Sequence, residues 1–307
     1  MHCNSGTSVC QGVPTEIGNS KVLLIDTPGF DDSQRSDTEI LTAIAKMLAA
    51  QYKLGVSLKG VIYLHRITDN RYQGSSVKTL NIFKEICGES SLKNVILAST
   101  RWDKVTESEG ASRENRLREH FWSYMISHGS TMTRYYGDRD SAVGMVSQLL
   151  GSGNIVLDLQ RQLVDEGRTL EQTSAGAVIN GDLAESIASS KAEIESLKRQ
   201  LHQSNAAMME RVEDDRRQQE VALYQAESDQ VRLQADIAAE VRDEINVEMA
   251  RAKKKSSKLG LILPLLPTAL SILGMFVGIS PSMTSFFGSW IVGSDSQGPL
   301  SEIFANF

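Results

Sequence analysis

Hydrophobic and polar residues alternate in three different ways along this 307-residue chain. Up to about residue 165, short apolar runs alternate with segments of helical spacing, which favours an α/β domain whose mostly parallel sheet is covered by helices. From about 183 to 258, Ala, Glu, Gln, Arg and Lys dominate and proline is missing. Residues 259–294 carry no charged side chain. The pattern predicts three regions with different physical properties.

The first region contains three apolar runs that suit strands buried on both faces. The runs are Lys21–Ile25, Gly60–His65 and Asn94–Ala98. Helices with recognisable ends lie between them. The capping boxes Ser36–Glu39 and Thr106–Glu109 predict two helix starts, with stops near Gly55 and Gly129, and a further helix over Ser76–Ile86 ends at Gly88.

Candidate chemistry follows the first apolar run, in the sequence Asp-Thr-Pro-Gly-Phe-Asp-Asp from Asp26 to Asp32. In a doubly wound α/β fold, ligands bind outside the carboxyl ends of the strands. The Asp26 carboxylate is an oxygen ligand of the kind that Mg²⁺ prefers. Gly29 has no side chain, so its N–H can approach a terminal phosphate closely. This turn therefore predicts contacts to a magnesium-bound nucleotide.

A second candidate group, Thr100-Arg-Trp-Asp103, follows the run that ends at Ala98. The Asp103 carboxylate can accept two hydrogen bonds from the N–H groups of guanine, whereas adenine offers no matching pair of donors. An aspartate here would therefore select guanine.

These segments resemble the septin-like and immunity-associated (paraseptin) GTPases, especially fungal proteins that contain a G domain. The resemblance rests on residues 22–32, 58–69 and 100–105 and covers roughly residues 5–170. It implies a site for GTP and Mg²⁺. Thr7 aligns with the switch threonine that, with Asp26, coordinates magnesium, and Gly29 belongs to the same motif as Asp26. Thr100 and Arg101 stand where the family usually has Asn and Lys beside the base-reading Asp103.

The resemblance also bears on the base loop and on hydrolysis. Gly129-Ser-Thr131 is interpreted as the last base-binding loop. Phe30 stands where many small GTPases carry a water-orienting glutamine, so hydrolysis would need another group, supplied by a partner subunit or by His65 and Arg66. The alternative for His65 and Arg66 is a structural pair that caps the strand end.

A phosphate-binding loop of the form G-x-x-x-x-G-K-[ST] is missing from all 307 residues. Only 25 residues precede Asp26, so the chain is expected to be truncated, without the first strand that lies inside the sheet of this family. Losing about four charge-assisted hydrogen bonds at roughly 1.5 kcal/mol each would weaken GTP binding by more than about 10⁴-fold. The fold class predicted for residues 1–170 is a truncated P-loop GTPase-like three-layer α/β domain.

Residues 171–258 are predicted to form a long helical stalk that is partly a coiled coil. Apolar residues recur at heptad-like spacing early in this region and at intervals of four later: Ile187, Ile194, Leu197, Leu201 and Met208, then Leu233, Ile237, Val241, Ile245 and Met249. The charged stretch Glu213–Glu220 interrupts the seam. A single solvated helix stabilised by i,i+4 ion pairs is the alternative.

Residues 259–294 are predicted to be a hydrophobic membrane anchor, followed by a polar tail at 295–307. Leu259–Ile279 alone provides 21 uncharged residues, about the ~20 that cross a bilayer as a helix. Lys253–Lys255 and Lys258 would keep the preceding regions cytoplasmic. The alternative is a tail that folds back as a hairpin or packs on a partner.

Composition and net charge narrow the functional classes and the cellular setting that fit this chain. A net charge of −6 argues against a general nucleic-acid binder. Three cysteines without C-x-x-C spacing suggest neither a disulfide framework nor a zinc site, so a reducing, intracellular setting is expected. Two functions stay open: a membrane-tethered GTPase that self-associates through its G domain or coiled coil, and a non-enzymatic scaffold with a remnant G domain.

Overall fold

The computed structural model describes residues 10–30, 34–69, 74–203, 206–257, 272–274 and 276. Thr7, the polar tail and most of the hydrophobic segment 259–294 lie outside these residues. The strands are β1 Gln11–Ile17, β2 Ser20–Asp26, β3 Val61–Arg66, β4 Val95–Thr100 and β5 Thr131–Arg134. The helices are α1 Asp37–Lys53, α2 Ser75–Cys87, α3 Glu107–Arg116, α4 Ser123–Ser127, α5 Arg139–Leu150, α6 Asp158–Gln160, α7 Ser174–Gln203, α8 Ala206–Leu233 and α9 Ile237–Ser257.

Strands β1 and β2 form an antiparallel hairpin. The strands are joined by a two-residue turn at Gly18 and Asn19, and Gly18 has the positive φ of 58° that such turns require. The prediction that Lys21–Ile25 is buried on both faces is wrong, because Leu24 is 38% exposed and the strand is a hairpin arm. A hairpin arm needs only one covered face, so its other residues face solvent.

Strands β3, β4 and β5 form a parallel sheet with β4 in the centre. This confirms a mixed α/β fold with a parallel sheet. Ile96 and Ala98 of β4 pack with α5, whereas Val95 and Leu97 pack in a second buried cluster that contains Trp122. The alternation follows from the two-residue period of a strand and buries β4 on both faces, as its apolar run predicts.

The hairpin and the parallel sheet are two separate sheets among the described residues. They are connected through α1, because Leu23 and Ile25 of β2 and Val61 of β3 pack against the same buried cluster as α1. Strand β3 lies at an edge of its sheet, and its Leu64 side chain is 59% exposed. Strand β2 likewise pairs with β1 alone among the described strands, so an edge of each sheet is left without a described neighbour.

Both predicted capping boxes are confirmed. In α1, the Ser36 hydroxyl accepts from the Glu39 N–H at 3.2 Å, and Glu39 caps Ser36 in return. Thr106 and Glu109 do the same for α3. Helix α3 continues through a π-helical turn at Leu117–Phe121 into α4, which ends just before Gly129.

Helices α7 and α8 form an antiparallel hairpin. Lys191 of α7 pairs with Glu227 of α8 at 3.0 Å, and the Gln230 amide donates to Asn180 at 3.3 Å. The earlier of the two α7 residues contacts the later of the two α8 residues, which defines the antiparallel geometry. The helices of residues 171–258 therefore fold back on one another within one chain.

Helix α9 packs against α1. The end of α8 and the apolar seam of α9 supply Leu233, Ile237 and Val241, each fully buried in the cluster that contains α1. The ion pair between Lys46 of α1 and Glu240 at 2.7 Å reinforces the contact. The later half of the predicted seam is thus covered by α1 of the same chain, and the helical region shares a core with the α/β region.

The described part of the hydrophobic segment also packs in this core. Ile272 is 3% exposed and Leu273 is fully buried, both in the cluster of α1 and α9, with Phe276 partly buried beside them. Within the described residues, no helix combines the length and the apolar character that crossing a bilayer needs.

Candidate functional site

The central strand β4 ends in a tight loop that carries three predicted site residues. The Thr100 carbonyl accepts from the Ile67 N–H at 2.9 Å, which ties the end of β4 to the end of β3. Arg101 follows in the left-handed conformation with φ 64°, and no other non-glycine residue among those described has a positive φ. The turn at Arg101 separates Thr100 from Asp103 at the carboxyl edge of the sheet.

Asp103 presents a solvent-accessible carboxylate. Its side chain is 60% exposed and lies 3.1 Å from the Lys104 Nζ. The hydrogen bond from Lys104 holds the pKa of Asp103 below its ordinary value. An ionised carboxylate with free lone pairs accepts hydrogen bonds only, which is the chemistry that reading the guanine N–H groups requires.

Trp102 anchors the same loop in the core. Its indole N–H donates to the carbonyl and hydroxyl oxygens of Ser99, each at 3.1 Å, and the side chain is 8% exposed. A Cβ on Gly110 of α3 would lie 2.4 Å from the indole ring. Only glycine allows α3 to approach Trp102 so closely, so the loop is packed directly against this helix.

The loop after β5 lies beside the loop after β4. The Tyr135 N–H donates to the Ser99 carbonyl at 2.8 Å, and Tyr136 follows with 57% of its surface exposed. Gly137 has φ 82° and turns the chain into α5. Sequence reasoning missed these residues, although the alternation of β-branched residues at Thr131 and Thr133 marks the strand that positions them.

The interpretation of Gly129-Ser-Thr131 as the base-binding loop is wrong. These residues lie at the start of β5, and β5 runs parallel to β4. The amino end of a parallel strand is at the opposite edge of the sheet from the carboxyl end of its neighbour, where Asp103 lies. Tyr135, Tyr136 and Gly137 follow the carboxyl end of β5, on the same side of the sheet as Asp103.

Asp26 and Gly29 lie at the end of β2, in the hairpin sheet. Asp26 is exposed, and a Cβ built on Gly29 meets no atom within 4 Å, so the backbone there is open to a ligand. Phe30 packs against the α1 cluster. Thr7, the other predicted magnesium ligand, lies outside the described residues. The structure therefore brings Thr100, Arg101 and Asp103 together at the end of β4, whereas Asp26 ends β2 of the hairpin and Gly29 follows it.

The side chains of His65 and Arg66 lie in different surroundings. The His65 ring is 7% exposed and packs edge-on against Trp122, with 6.0 Å between ring centroids. Arg66 pairs instead with Asp69 at 3.3 Å on the surface. A role of His65 and Arg66 in hydrolysis stays a prediction.

Comparisons with known proteins add no relative. The chain matches no protein-family model, and no curated protein matches it. Among the described residues, no group of three or more His, Cys, Asp or Glu side chains could hold a metal ion. Any functional assignment therefore depends on the residues and the geometry given above. They place an exposed carboxylate, Asp103, at the carboxyl end of the central parallel strand.

Proposed function

We propose that this chain carries the guanine-reading half of a GTP-binding site of the septin-like GTPase class. The observation that carries the proposal is the exposed, ionised Asp103 at the carboxyl end of the central parallel strand, beside the Tyr135–Gly137 loop. In this proposal Asp103 and the Thr100–Arg101 turn bind the base. Asp26 ligates Mg²⁺, and the Gly29 N–H contacts the terminal phosphate.

The separation of the two sheets supports the proposal. The family has its first strand inside the sheet, and the described hairpin and parallel sheet have unpaired edges at β2 and β3. A strand added between these two edges would give one continuous sheet. Asp26 and Asp103 would then lie at the same end of its strands, the carboxyl end. Tight GTP binding and hydrolysis then belong to a form that also contains a phosphate loop, and both are impaired in this chain.

A magnesium-dependent titration with fluorescent GTP tests the proposal. We would measure the 307-residue chain beside a form extended upstream through any encoded strand and phosphate loop. Binding that is at least about 10⁴-fold tighter in the extended form is expected, because the loop supplies the phosphate hydrogen bonds. Absence of guanine-dependent binding in both forms would contradict the proposal.

A non-enzymatic scaffold is the second candidate function. It is favoured by an apolar stripe on α8, where Val221, Tyr224 and Val231 are 56%, 74% and 68% exposed. Their spacing places all three on one face of the helix. Sedimentation velocity over a range of concentrations tests this function. A scaffold should self-associate with no dependence on added nucleotide.

Membrane tethering through residues 259–294 is a separate proposal. Flotation of the chain with phosphatidylcholine vesicles tests it, with residues 1–257 as the comparison. Co-flotation of the full chain alone would support the anchor. Equal recovery of both with the aqueous fraction would favour the alternative in which the tail packs on the protein, as Ile272 and Leu273 do here.

A further inference from the structure

Arg134, the last residue of β5, is held by two carboxylates of α3. Its Nε and Nη2 atoms donate to the two oxygens of Glu114 at 3.0 and 2.7 Å, which is the two-pronged geometry typical of guanidinium and carboxylate. Its Nη1 donates to Glu107 at 2.7 Å. The guanidinium is therefore fixed in position and in orientation.

The two carboxylates differ in burial. Glu114 is a buried residue with 11% of its side chain exposed, whereas 75% of the Glu107 side chain is exposed. An ion pair shielded from water contributes more than an exposed one, because water and salt screen the exposed pair. Glu114 is thus the partner that holds Arg134, and Glu107 adds little. These hydrogen bonds raise the pKa of Arg134 above its ordinary value.

Arg134 connects the two loops that flank the candidate base site. Its guanidinium carbon lies 4.0 Å from the centre of the Trp102 ring, which belongs to the loop that carries Asp103. The Tyr136 side chain, in the loop after β5, lies close enough to the same guanidinium to contribute to its raised pKa. Trp102 and Tyr136 lie with ring centroids 6.4 Å apart. One side chain therefore sets the relative position of both loops.

Tyr136 combines exposure with a fixed position. More than half of its surface is open to solvent, although the Arg134 contact and the turn at Gly137 hold it beside the Asp103 loop. An exposed aromatic ring that is held in place offers a face on which a nucleic-acid base can stack. A mobile ring would have to be ordered first, which weakens binding.

We propose that Arg134, held by Glu114, is the positioning residue of the guanine site, and that Tyr136 supplies the stacking face for the base. The inference rests on the proposed guanine site and adds its supporting residues. Asp103 reads the base edge, Tyr136 covers a face of the base, and Arg134 keeps the two at a constant separation.

The test uses the 307-residue chain labelled with ¹⁵N-tryptophan and observed by NMR. Guanosine monophosphate and adenosine monophosphate are the probes, because the base half of the site is present in this chain. The Trp102 indole signal should respond to guanosine monophosphate at a concentration about 10-fold lower than to adenosine monophosphate. Tyr136→Ala should weaken the response to guanosine monophosphate about 5-fold or more, and Tyr136→Phe should retain it.

Glu114→Gln and Glu107→Gln form a matched pair, because both change a carboxylate bound to the same guanidinium. Glu114→Gln and Arg134→Met should broaden the Trp102 signal and reduce the preference for guanine about 10-fold, while Glu107→Gln leaves both unchanged. The remaining tryptophan signals serve as the control for folding.

The outcomes separate the two proposals. A wild-type chain that responds to neither nucleotide, or equally to both, would contradict the guanine site and with it this inference. A selective wild type whose preference survives Glu114→Gln and Arg134→Met would leave the guanine site standing and overturn the role of Arg134. Retained guanosine monophosphate binding in Tyr136→Ala would overturn the stacking role.

Discussion

Cys10 and Cys87 have their acid–base chemistry set by burial. Cys10 is 2% exposed, with its Sγ 3.9 Å from the Ala43 carbonyl oxygen, and Cys87 is fully buried. Desolvation disfavours the charged thiolate. It raises the pKa of Cys10 from 9.0 to about 11, and it raises the pKa of Cys87 as well. Both thiols therefore stay neutral in the folded chain at physiological pH.

The raised pKa of Cys10 predicts a loss of stability at alkaline pH. Below pH 9 the Cys10 thiol is protonated in both the folded and the unfolded chain, and its contribution to the free energy of unfolding is fully present. Between pH 9 and 11 only the unfolded chain releases the proton, so the free energy of unfolding should fall by about 2–3 kcal/mol from this residue. Urea denaturation at pH 8 and pH 10.5 measures the change.

Other groups titrate in the same range, so Cys10→Ala provides the control for Cys10. The pH dependence of the variant should be shallower than that of the wild type. Equal slopes would show that Cys10 ionises as easily in the folded chain as in the unfolded chain.

Asp103→Asn is expected to shift base preference from guanine to xanthine. The substitution replaces a carboxylate acceptor with an amide donor, and xanthine has a carbonyl oxygen where guanine has an amino group. In the form of the protein that binds GTP, the ratio of xanthosine triphosphate affinity to GTP affinity should rise at least about 10-fold. An unchanged GTP affinity would remove Asp103 from the site.

At the residue scale, a candidate site residue can be predicted when its signal lies in a short segment of sequence. Asp103 is identifiable because it directly follows an apolar run. Arg134 ends a strand of only four residues, Thr131–Arg134, and Tyr136 follows it; this strand lacks the apolar run that marks β4. Their partners Glu114 and Trp102 are distant in sequence, so the contacts depend on packing of α3 against the sheet.

At the scale of the element, α1 depends on local capping and on α8 together. The Ser36 hydroxyl accepts from the Glu39 N–H and donates to Asp229 of α8 at 3.0 Å. Glu39 in turn forms an ion pair with Arg232 at 2.8 Å. The two residues of the α1 capping box therefore also contact α8.

Ser36→Ala should therefore destabilise the chain more than the equivalent change in the other capping box. Thr106→Ala removes an exposed cap and should cost about 1 kcal/mol. Ser36→Ala removes the cap and also leaves Asp229 without this donor, so about 2 kcal/mol is expected. Urea denaturation of both variants gives the comparison. A smaller cost for Ser36→Ala would show that the Asp229 contact adds nothing.

Elements with local signals were predictable, and elements that need a distant partner were not. The helix starts at Ser36 and Thr106 are encoded within four residues. The strand Gln11–Ile17 was missed, although Gly18-Asn19 before Ser20 is a two-residue turn signal. The hairpin also explains why the Lys21–Ile25 run is only half covered.

At the scale of the whole molecule, the α/β region and the helical region share one buried cluster. Leu233, Ile237 and Val241 belong to it together with α1 residues such as Ile40 and Leu41. The apolar spacing of α9 is the same whether its partner lies in the same chain or in another. Sequence alone therefore could not decide between a coiled coil, a lone helix and this packing within the chain.

The shared core predicts that both regions unfold together. Leu233→Ala should cost about 2–5 kcal/mol, because the leucine is fully buried. The neighbouring Val231→Ala, at a residue 68% exposed, should change stability by less than about 0.5 kcal/mol. Far-ultraviolet circular dichroism follows the helices, and tryptophan fluorescence follows the sheet around Trp102 and Trp122.

Both signals of Leu233→Ala should shift to the same lower urea midpoint. If the helical signal moved while the fluorescence midpoint stayed at the wild-type value, the helices and the sheet would be independent units, contrary to the shared core.

Among the described strands, β2 and β3 each have an edge without a neighbour, which has a consequence for how the protein behaves in solution. Each edge presents backbone N–H and C=O groups that another extended chain can pair with, and Leu64 adds exposed apolar surface at one of them. We expect copies of the chain to associate through these edges to a greater extent as the protein concentration rises. This association should shield the edge amides from hydrogen exchange. A short peptide with alternating apolar residues that competes for these edges should then keep the protein monomeric, acting as a substitute strand rather than as an inhibitor of any reaction.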